Sequence, residues 1–432
     1  MGSITPPRQF HGPQGWTRMY SSDRKYEAVV VGAGAGGIGV VGNLLDQKKE
    51  PILWVDDLFD GGRLNKFYRE VPSNTKLKFF TKYAEGVESF RSVAKEASEP
   101  NAMSHLLSLD QEKTCHIAQA ADLCLMLTKG LTEEKGVFKQ QGKVTDASYS
   151  NVSTSPHLTQ LINNLILTSH PPSQHGQSQY LPPTPHPHQF KSTPAASSYA
   201  PALHPSKDRS PLPSHTSIPS TSTPHSPPTK LSIAIPTDKP VQVAVIGASH
   251  SAILVLRNLS NLATSTHPQL RIKWFTRHPL RYAEERDGWI LRDNTGLKGE
   301  VATWARANLE PAKLAASPVG KHLTAITTSH ADETETYTRE LADCQYVCQA
   351  IGYRLNPLPE LRVEGKAVTP VCDNTTGGFT AKEDGERLPA LYGAGIAFPE
   401  RVTDPEGNVE YAVGLFKFMN FLKKVTPGWK AG

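Results

Sequence analysis

The feature that most constrains this chain lies at residues 26–45. Tyr26 to Val31 is a short apolar run ending in three valines, Gly32-Ala33-Gly34-Ala35-Gly36-Gly37 follows at once, and Ile38 to Leu45 is apolar. A β-branched run of that length predicts a buried strand, and the apolar stretch behind it predicts a helix. Strand, GxGxxG and helix in that order form a cradle for the pyrophosphate of a dinucleotide. Gly32 permits the tight turn, Gly34 lets the backbone approach the phosphates, and Gly37 allows close helix-to-strand packing. The helix N-terminus offers free N–H groups and about half a positive charge. The chain therefore has to build a parallel α/β layer around this turn.

The next strand, Ile52 to Val55, ends in Asp56, 24 residues beyond Gly32. A carboxylate there accepts hydrogen bonds from a ribose 2′-hydroxyl and repels a 2′-phosphate, which points to FAD or NAD. Asp60-Gly61-Gly62-Arg63 comes next. The acid-x4-Gly-Gly spacing resembles the FAD domain of the two-dinucleotide-binding-domain flavoproteins, which include the pyridine nucleotide-disulfide reductases and the flavin-dependent monooxygenases. The resemblance implies that Gly61, Gly62 and Arg63 bring the chain under a flavin. It also implies that Val71 to Lys76 falls near the isoalloxazine, although the same residues read equally as a Pro-Ser-Asn turn.

A second frame begins 215 residues after the first. Val241 to Ile246 predicts a strand, Gly247-Ala248-Ser249-His250-Ser251-Ala252 a turn, and Ile253 to Leu259 a helix. The turn is GxSxxA rather than GxGxxG. It resembles the NADP domain of N-hydroxylating and related class B monooxygenases, where a G-x-x-x-S-A turn recurs. That implies a second cofactor at Gly247, Ser249, His250 and Ser251. The following strand, Leu270 to Phe275, ends in Thr276-Arg277-His278 with no acid. A guanidinium at the ribose position pairs a 2′-phosphate with two N–H bonds, so Arg277 favours NADPH over NADH. The polar stretches 282–289 and 293–299 either line the nicotinamide or substrate pocket or form an Asn-Thr-Gly turn and a helix cap.

Tyr346 to Tyr353 runs as a strand into Gly352. It resembles the A-T-G-Y linker that ends the NADP domain in the monooxygenase branch, with Ile351 in place of Thr. Leu391 to Ile396 is similar to the last FAD strand, with Gly395 as its final glycine. Ile396 stands where the family usually has an Asp for the ribityl chain, so that contact falls to backbone N–H groups or FAD binds more weakly. Glu410 to Lys424 predicts a closing helix, with Val413, Phe416, Met419 and Leu422 facing the core.

Between the two frames the composition changes. In residues 171–230, 15 of 60 are proline and 12 serine, without apolar periodicity. Such a segment cannot offset an ordering cost of about 1–2 kcal/mol per residue, and reads as a disordered linker. Its six histidines lack the carboxylates, cysteines and spacing of a metal site. The expected organisation is α/β, with two Rossmann-like dinucleotide-binding domains and the FAD domain interrupted by the NADP domain. Residues 1–25 are a leader, 26–169 the first part of the FAD domain, 170–238 the linker, 239–350 the NAD(P) domain, and 351–432 the return segment with its C-terminal helix.

The remaining features exclude classes. No C-x-x-C or C-x4-C occurs among the five cysteines, so two thiols poised to shuttle electrons are missing and a disulfide reductase is disfavoured. The fingerprint F-x-G-x-x-x-H of flavin-containing and Baeyer–Villiger monooxygenases is absent as well. No run of about 18 apolar residues marks an integral membrane segment, and the leader lacks the apolar region of a signal peptide. A cytoplasmic location is expected, with the mitochondrion as the alternative. A net charge of +5 suits a phosphorylated cofactor, and no basic–aromatic motif points to nucleic acid. The resemblance implies an FAD-dependent, NADPH-using oxidoreductase in which reduced flavin traps oxygen as a peroxide and oxidises a small organic molecule. The alternatives are an NADPH-dependent reductase of a quinone or other acceptor, and a dinucleotide-binding protein without redox work. The motifs name neither catalytic residues nor an oligomeric state.

Overall fold

The computed structural model describes residues 25–149, 165–167, 216–217, 228–352 and 355–430. Its first part carries β1 (Ala28–Val31), α1 (Ala35–Asp46), β2 (Ile52–Asp56), α2 (Ile117–Glu133), β3 (Val137–Gln141) and β4 (Leu165–Leu167). Its second part carries β5 (Thr216–Ser217), α3 (Pro228–Ala234), β6 (Val241–Ile246), α4 (His250–Thr264), β7 (Leu270–Thr276), β8 (Leu323–Thr327) and β9 (Tyr346–Gln349). The chain then returns through β10 (Pro370–Cys372), β11 (Gly378–Ala381), β12 (Arg387–Gly393) and α5 (Leu415–Val425).

The strands form two main sheets. In the first, the order is β10-β11-β12-β4-β1-β2-β3. The stretch from β12 to β3 is parallel, and β10 and β11 add an antiparallel margin. The second sheet is parallel throughout, in the order β8-β7-β6-β9-β5. In each, the strand that feeds a glycine turn is central, flanked by its successor on one side and a strand returning from far along the sequence on the other. That is the topological switch point where open α/β sheets bind their ligands. The expected fold class of two Rossmann-like domains is borne out.

The first core fills the space between sheet and helices with Ile38, Val41 and Leu44 of α1, Trp54 of β2, Leu123 and Leu127 of α2, and Met419, Phe421 and Leu422 of α5. Helix α1 carries glycines at 36, 39 and 42, a spacing that aligns them on one face. A Cβ on Gly39 would stand 2.8 Å from Leu422 Cδ1, and one on Gly42 would stand 2.4 Å from Phe90 Cε1. Each glycine costs a helix about 1 kcal/mol relative to alanine. Here they let α5 and the Phe90 ring lie directly against the α1 backbone.

Two expectations need correction. The stretch read as linker to residue 238 contains structure. Helix α3 buries Leu231 in the second core, as does Ile235 just beyond it, and Thr216–Ser217 pairs with Tyr346 and Val347 of β9. Two apolar anchors four residues apart make one helical contact, too sparse to show as a period against the Pro/Ser background. Residues 170–215 and 218–227 of that stretch and residues 1–24 of the leader lie outside the described residues. The closing helix also starts later than Glu410. Val409–Ala412 forms a hairpin with Glu400–Thr403, and Gly414 breaks the run at φ +142° before α5 begins. Phe416 consequently sits half-buried, while Met419 and Leu422 face the core as expected.

Candidate functional site: two glycine turns and the contact between their domains

The first turn is braced from the strand beside it. Gly32, at φ +104°, donates its N–H to Val55 O at 2.7 Å, and its carbonyl accepts from Trp54 Nε1 at 2.9 Å. Gly34 caps α1 without a side chain of its own. The Tyr83 hydroxyl donates to Ala35 O at 2.7 Å and fixes the first helical turn. Gly36, one residue before the position assigned to close packing, meets the return segment: a Cβ there would stand 2.8 Å from Gly395 Cα. Gly395, at φ +80°, starts the short helix Gly395–Ala397, and Ile396 packs on the first core.

Asp56 is buried at the end of β2. One carboxylate oxygen accepts Ala33 N at 2.9 Å, and the other accepts Leu58 N at 2.8 Å and Phe59 N at 2.7 Å. The acid expected to meet a ribose hydroxyl thus also ties the glycine turn to the loop after β2. Gly61 and Gly62 both take positive φ, +74° and +72°. Gly62 N donates to Asp60 Oδ1 at 3.1 Å, and Arg63 opens the helix Arg63–Phe67 with its guanidinium over the Phe67 ring.

The second turn repeats the brace of the first. Gly247 N donates to Phe275 O at 2.9 Å, and Gly247 O accepts from Trp274 Nε1 at 2.8 Å. The indole and the carbonyl again come from successive residues near the end of the neighbouring strand. Gly247 holds φ +130°, and a Cβ on it would stand 2.4 Å from Ala350 O. The Ser249 hydroxyl donates to that same carbonyl at 3.4 Å. His250 and Ser251 begin α4. Burial, with Arg257 and Lys298 nearby, pulls the His250 imidazole down to about 4. Arg277 follows β7 at the same end of the sheet, and its Nη1 lies 3.4 Å from each ring nitrogen of His330. Gly352, at φ +99°, closes this region; Tyr353 lies outside the described residues.

The polar stretches left open by the sequence resolve differently. Glu284–Arg286 and Trp289–Leu291 form a hairpin. Residues 293–298 join the two domains. Glu410, 6% exposed, accepts Asn294 N at 2.9 Å, Asn294 Nδ2 at 3.2 Å and Thr295 Oγ1 at 2.5 Å. Lys417 Nζ donates to Asp293 Oδ2 and Asn294 Oδ1, both at 2.6 Å, and Lys298 pairs with the other Asp293 oxygen. Burial works against the Asp293 carboxylate, but the Lys417 and Lys298 ammoniums outweigh it and hold it below its usual range. Val71 adds an apolar contact in the second core, and Pro72–Lys76 pairs with Thr114–His116 instead of forming only a turn. Glu410 and Lys417 carry no motif signal, because their partners lie more than a hundred residues away in sequence.

Burial raises all five thiols, Cys115 to about 11 and Cys124, Cys344, Cys348 and Cys372 to about 12. At neutral pH they are protonated and poor nucleophiles. Among the described residues no helix is long and apolar enough to cross a membrane, and no group of three or more potential ligands can hold a metal.

Monooxygenase AgnR1 from Paecilomyces divaricatus is 44% identical to this chain over 418 residues, covering 95% of this chain and all of the relative. The chain belongs to the AgnR1 monooxygenase family. This membership agrees with the monooxygenase branch read from the two turns. No protein-family model matches the chain. Solved structures give weaker likenesses. NADP+-bound cyclohexanone monooxygenase from Rhodococcus sp. Phi1 is 14% identical with a TM-score of 0.45, over 92% of this chain and 82% of that one. FAD-bound DfoA, the cadaverine monooxygenase of Erwinia amylovora, is 13% identical with a TM-score of 0.34, over 91% and 80%. At that level no residue role transfers to the AgnR1 family member described here.

Proposed function

We propose that the chain is an FAD-dependent, NADPH-using monooxygenase acting on a small organic molecule. The observation that carries this reading is the repeated brace at Gly32 and Gly247. Two turns, each pinned by an indole and a strand carbonyl at a switch point, fit two dinucleotides. At Gly36 and Gly247 a Cβ would run into the backbone of Gly395 and Ala350, so close main-chain packing holds each turn in the conformation that a diphosphate cradle needs.

Gly32, Gly34, Gly37 and the N-terminus of α1 would hold the FAD pyrophosphate, with Asp56 at its ribose. Gly61, Gly62 and Arg63 would lie beneath the flavin, and Gly395 with the backbone at Ile396 would meet the ribityl chain. Gly247, Ser249, His250 and Ser251 would hold the NADPH diphosphate, Arg277 its 2′-phosphate, and Gly352 the crossing back to the FAD domain. Bound flavin supplies hydride acceptance and oxygen activation. The two glycine turns would hold the cofactors, and the surrounding protein would keep water from the reacting atoms. The Asp293–Lys417 and Asn294–Glu410 contacts bridge the two domains and would help to fix the orientation on which hydride transfer depends. No two of the five cysteines stand as C-x-x-C or C-x4-C, which counts against a thiol relay.

The test is a visible spectrum of the purified protein before and after anaerobic NADPH, followed by product analysis under 18O2. A flavin band that bleaches with NADPH, faster than with NADH, is expected, and label in the organic product completes the reading. Full reduction with no label in any product points to an acceptor reductase. A colourless protein that cannot be reconstituted with FAD overturns the enzyme reading.

A further inference from the structure

Arg277 and His330 come from the ends of adjacent parallel strands. Arg277 follows β7 directly, and His330 stands three residues beyond β8. Nη1 of Arg277 is 3.4 Å from both Nδ1 and Nε2 of the imidazole. An atom in the ring plane at equal distance from both nitrogens would collide with Cε1 between them. The guanidinium nitrogen therefore sits over the ring face with its N–H directed at the ring. The loop carrying His330 is fixed, because Asp332 Oδ1 accepts Ser329 N at 2.6 Å and Ser329 Oγ at 2.9 Å at the start of the helix Glu333–Glu340.

A guanidinium that spends one N–H on the ring keeps its other donors in plane, where they can fork onto phosphate oxygens. Among the described residues no carboxylate pairs with Arg277; its polar contact is the His330 ring. An arginine anchored in this way, with no carboxylate partner among the described residues, is prepared for an anion from outside. We propose that His330 is a positioning residue for the 2′-phosphate of NADPH: its ring is the platform that orients Arg277, and the ring face rather than a charge does this. The inference rests on the NADPH reading of the second turn and adds a specificity residue to it.

Calorimetric titration of the FAD-loaded full chain with 2′,5′-ADP and with 5′-AMP tests it without turnover. Arg277→Ala should weaken 2′,5′-ADP by more than about tenfold and leave 5′-AMP unchanged. His330→Ala should weaken 2′,5′-ADP by about two- to fivefold, the loss expected of an exposed cation–π contact, again without effect on 5′-AMP. His330→Phe, which keeps a ring face and removes the nitrogens, should restore binding. If Arg277→Ala leaves the preference for 2′,5′-ADP intact, the NADPH reading of this site is wrong. If Arg277→Ala acts but His330→Ala does not, or weakens both nucleotides alike, that reading stands and the platform fails. If His330→Phe behaves like His330→Ala, the imidazole nitrogens matter and the platform is overturned.

Discussion

Gly36 and Gly395 meet backbone to backbone, the first turn of α1 against the turn that follows the last strand of the same sheet. A Cβ on Gly36 would stand 2.8 Å from Gly395 Cα and 3.3 Å from Gly395 N. The obstacle is main chain on both sides, so no rotamer change relieves it. Gly36→Ala should lower stability by about 1–3 kcal/mol through overpacking and reduce the FAD that co-purifies, because the two turns meant to hold one cofactor are pushed apart. Thermal melting and the flavin-to-protein absorbance ratio measure the two effects. A variant with wild-type melting and full flavin would show that the approach is not needed.

Asp56 makes a sharper test of the same cradle. Its carboxylate accepts N–H groups on both oxygens, from Ala33 on one and from Leu58 and Phe59 on the other. Asp56→Asn keeps the volume but replaces one acceptor with an NH2, so one set of backbone donors faces a donor. Leaving a buried donor unsatisfied costs about 1–3 kcal/mol. Asp56→Asn is expected to melt lower even in apoprotein, and to lose FAD as well. A purely ribose-binding Asp56 would instead leave the apoprotein unchanged and weaken only the holoprotein.

How far this could be read in advance depends on where the partners lie. Gly32, Gly34 and Asp56 fall within one strand–turn–helix–strand unit, so their spacing carries their geometry. The brace has no motif, although Trp54 and Trp274 stand at matching places in their strands. Gly36 was hidden because its partner, Gly395, is more than 350 residues away. Glu410 was misread as helical for a related reason: local pattern sees its neighbours, whereas its place is set by Asn294 and Thr295 across the domain contact. A strand end singles out Arg277, whereas nothing in Ser329-His330-Ala331 marks the contact with its guanidinium.

The domain contact itself can be broken selectively. Glu410 is buried, and it accepts three donors from Asn294 and Thr295. Glu410→Ala should cost about 2–3 kcal/mol by stranding those donors, and slow flavin reduction by NADPH more than it changes NADPH affinity. Glu410→Gln, which keeps one acceptor oxygen, should recover part of both. Stopped-flow reduction at saturating and subsaturating NADPH separates rate from affinity. Equal reduction rates in all three proteins would mean that the contact only stabilises the fold.

His250 gives the pH dependence. Burial first, then the charges of Arg257 and Lys298, hold its folded value near 4, against 6.5 for an unperturbed imidazole. Between those values the unfolded chain binds a proton that the native protein does not, so protonation favours unfolding and stability rises with pH across the window. His250 thus costs nothing above pH 6.5 and destabilises increasingly as the pH falls from about 6.5 towards 4. His250→Asn removes that contribution alone. Urea denaturation midpoints at pH 4.5 and 7.5 should differ less in the variant than in the wild type. The same loss of midpoint in both proteins would mean that the imidazole titrates equally in the folded and unfolded chains, and that the head of α4 does not exclude the proton.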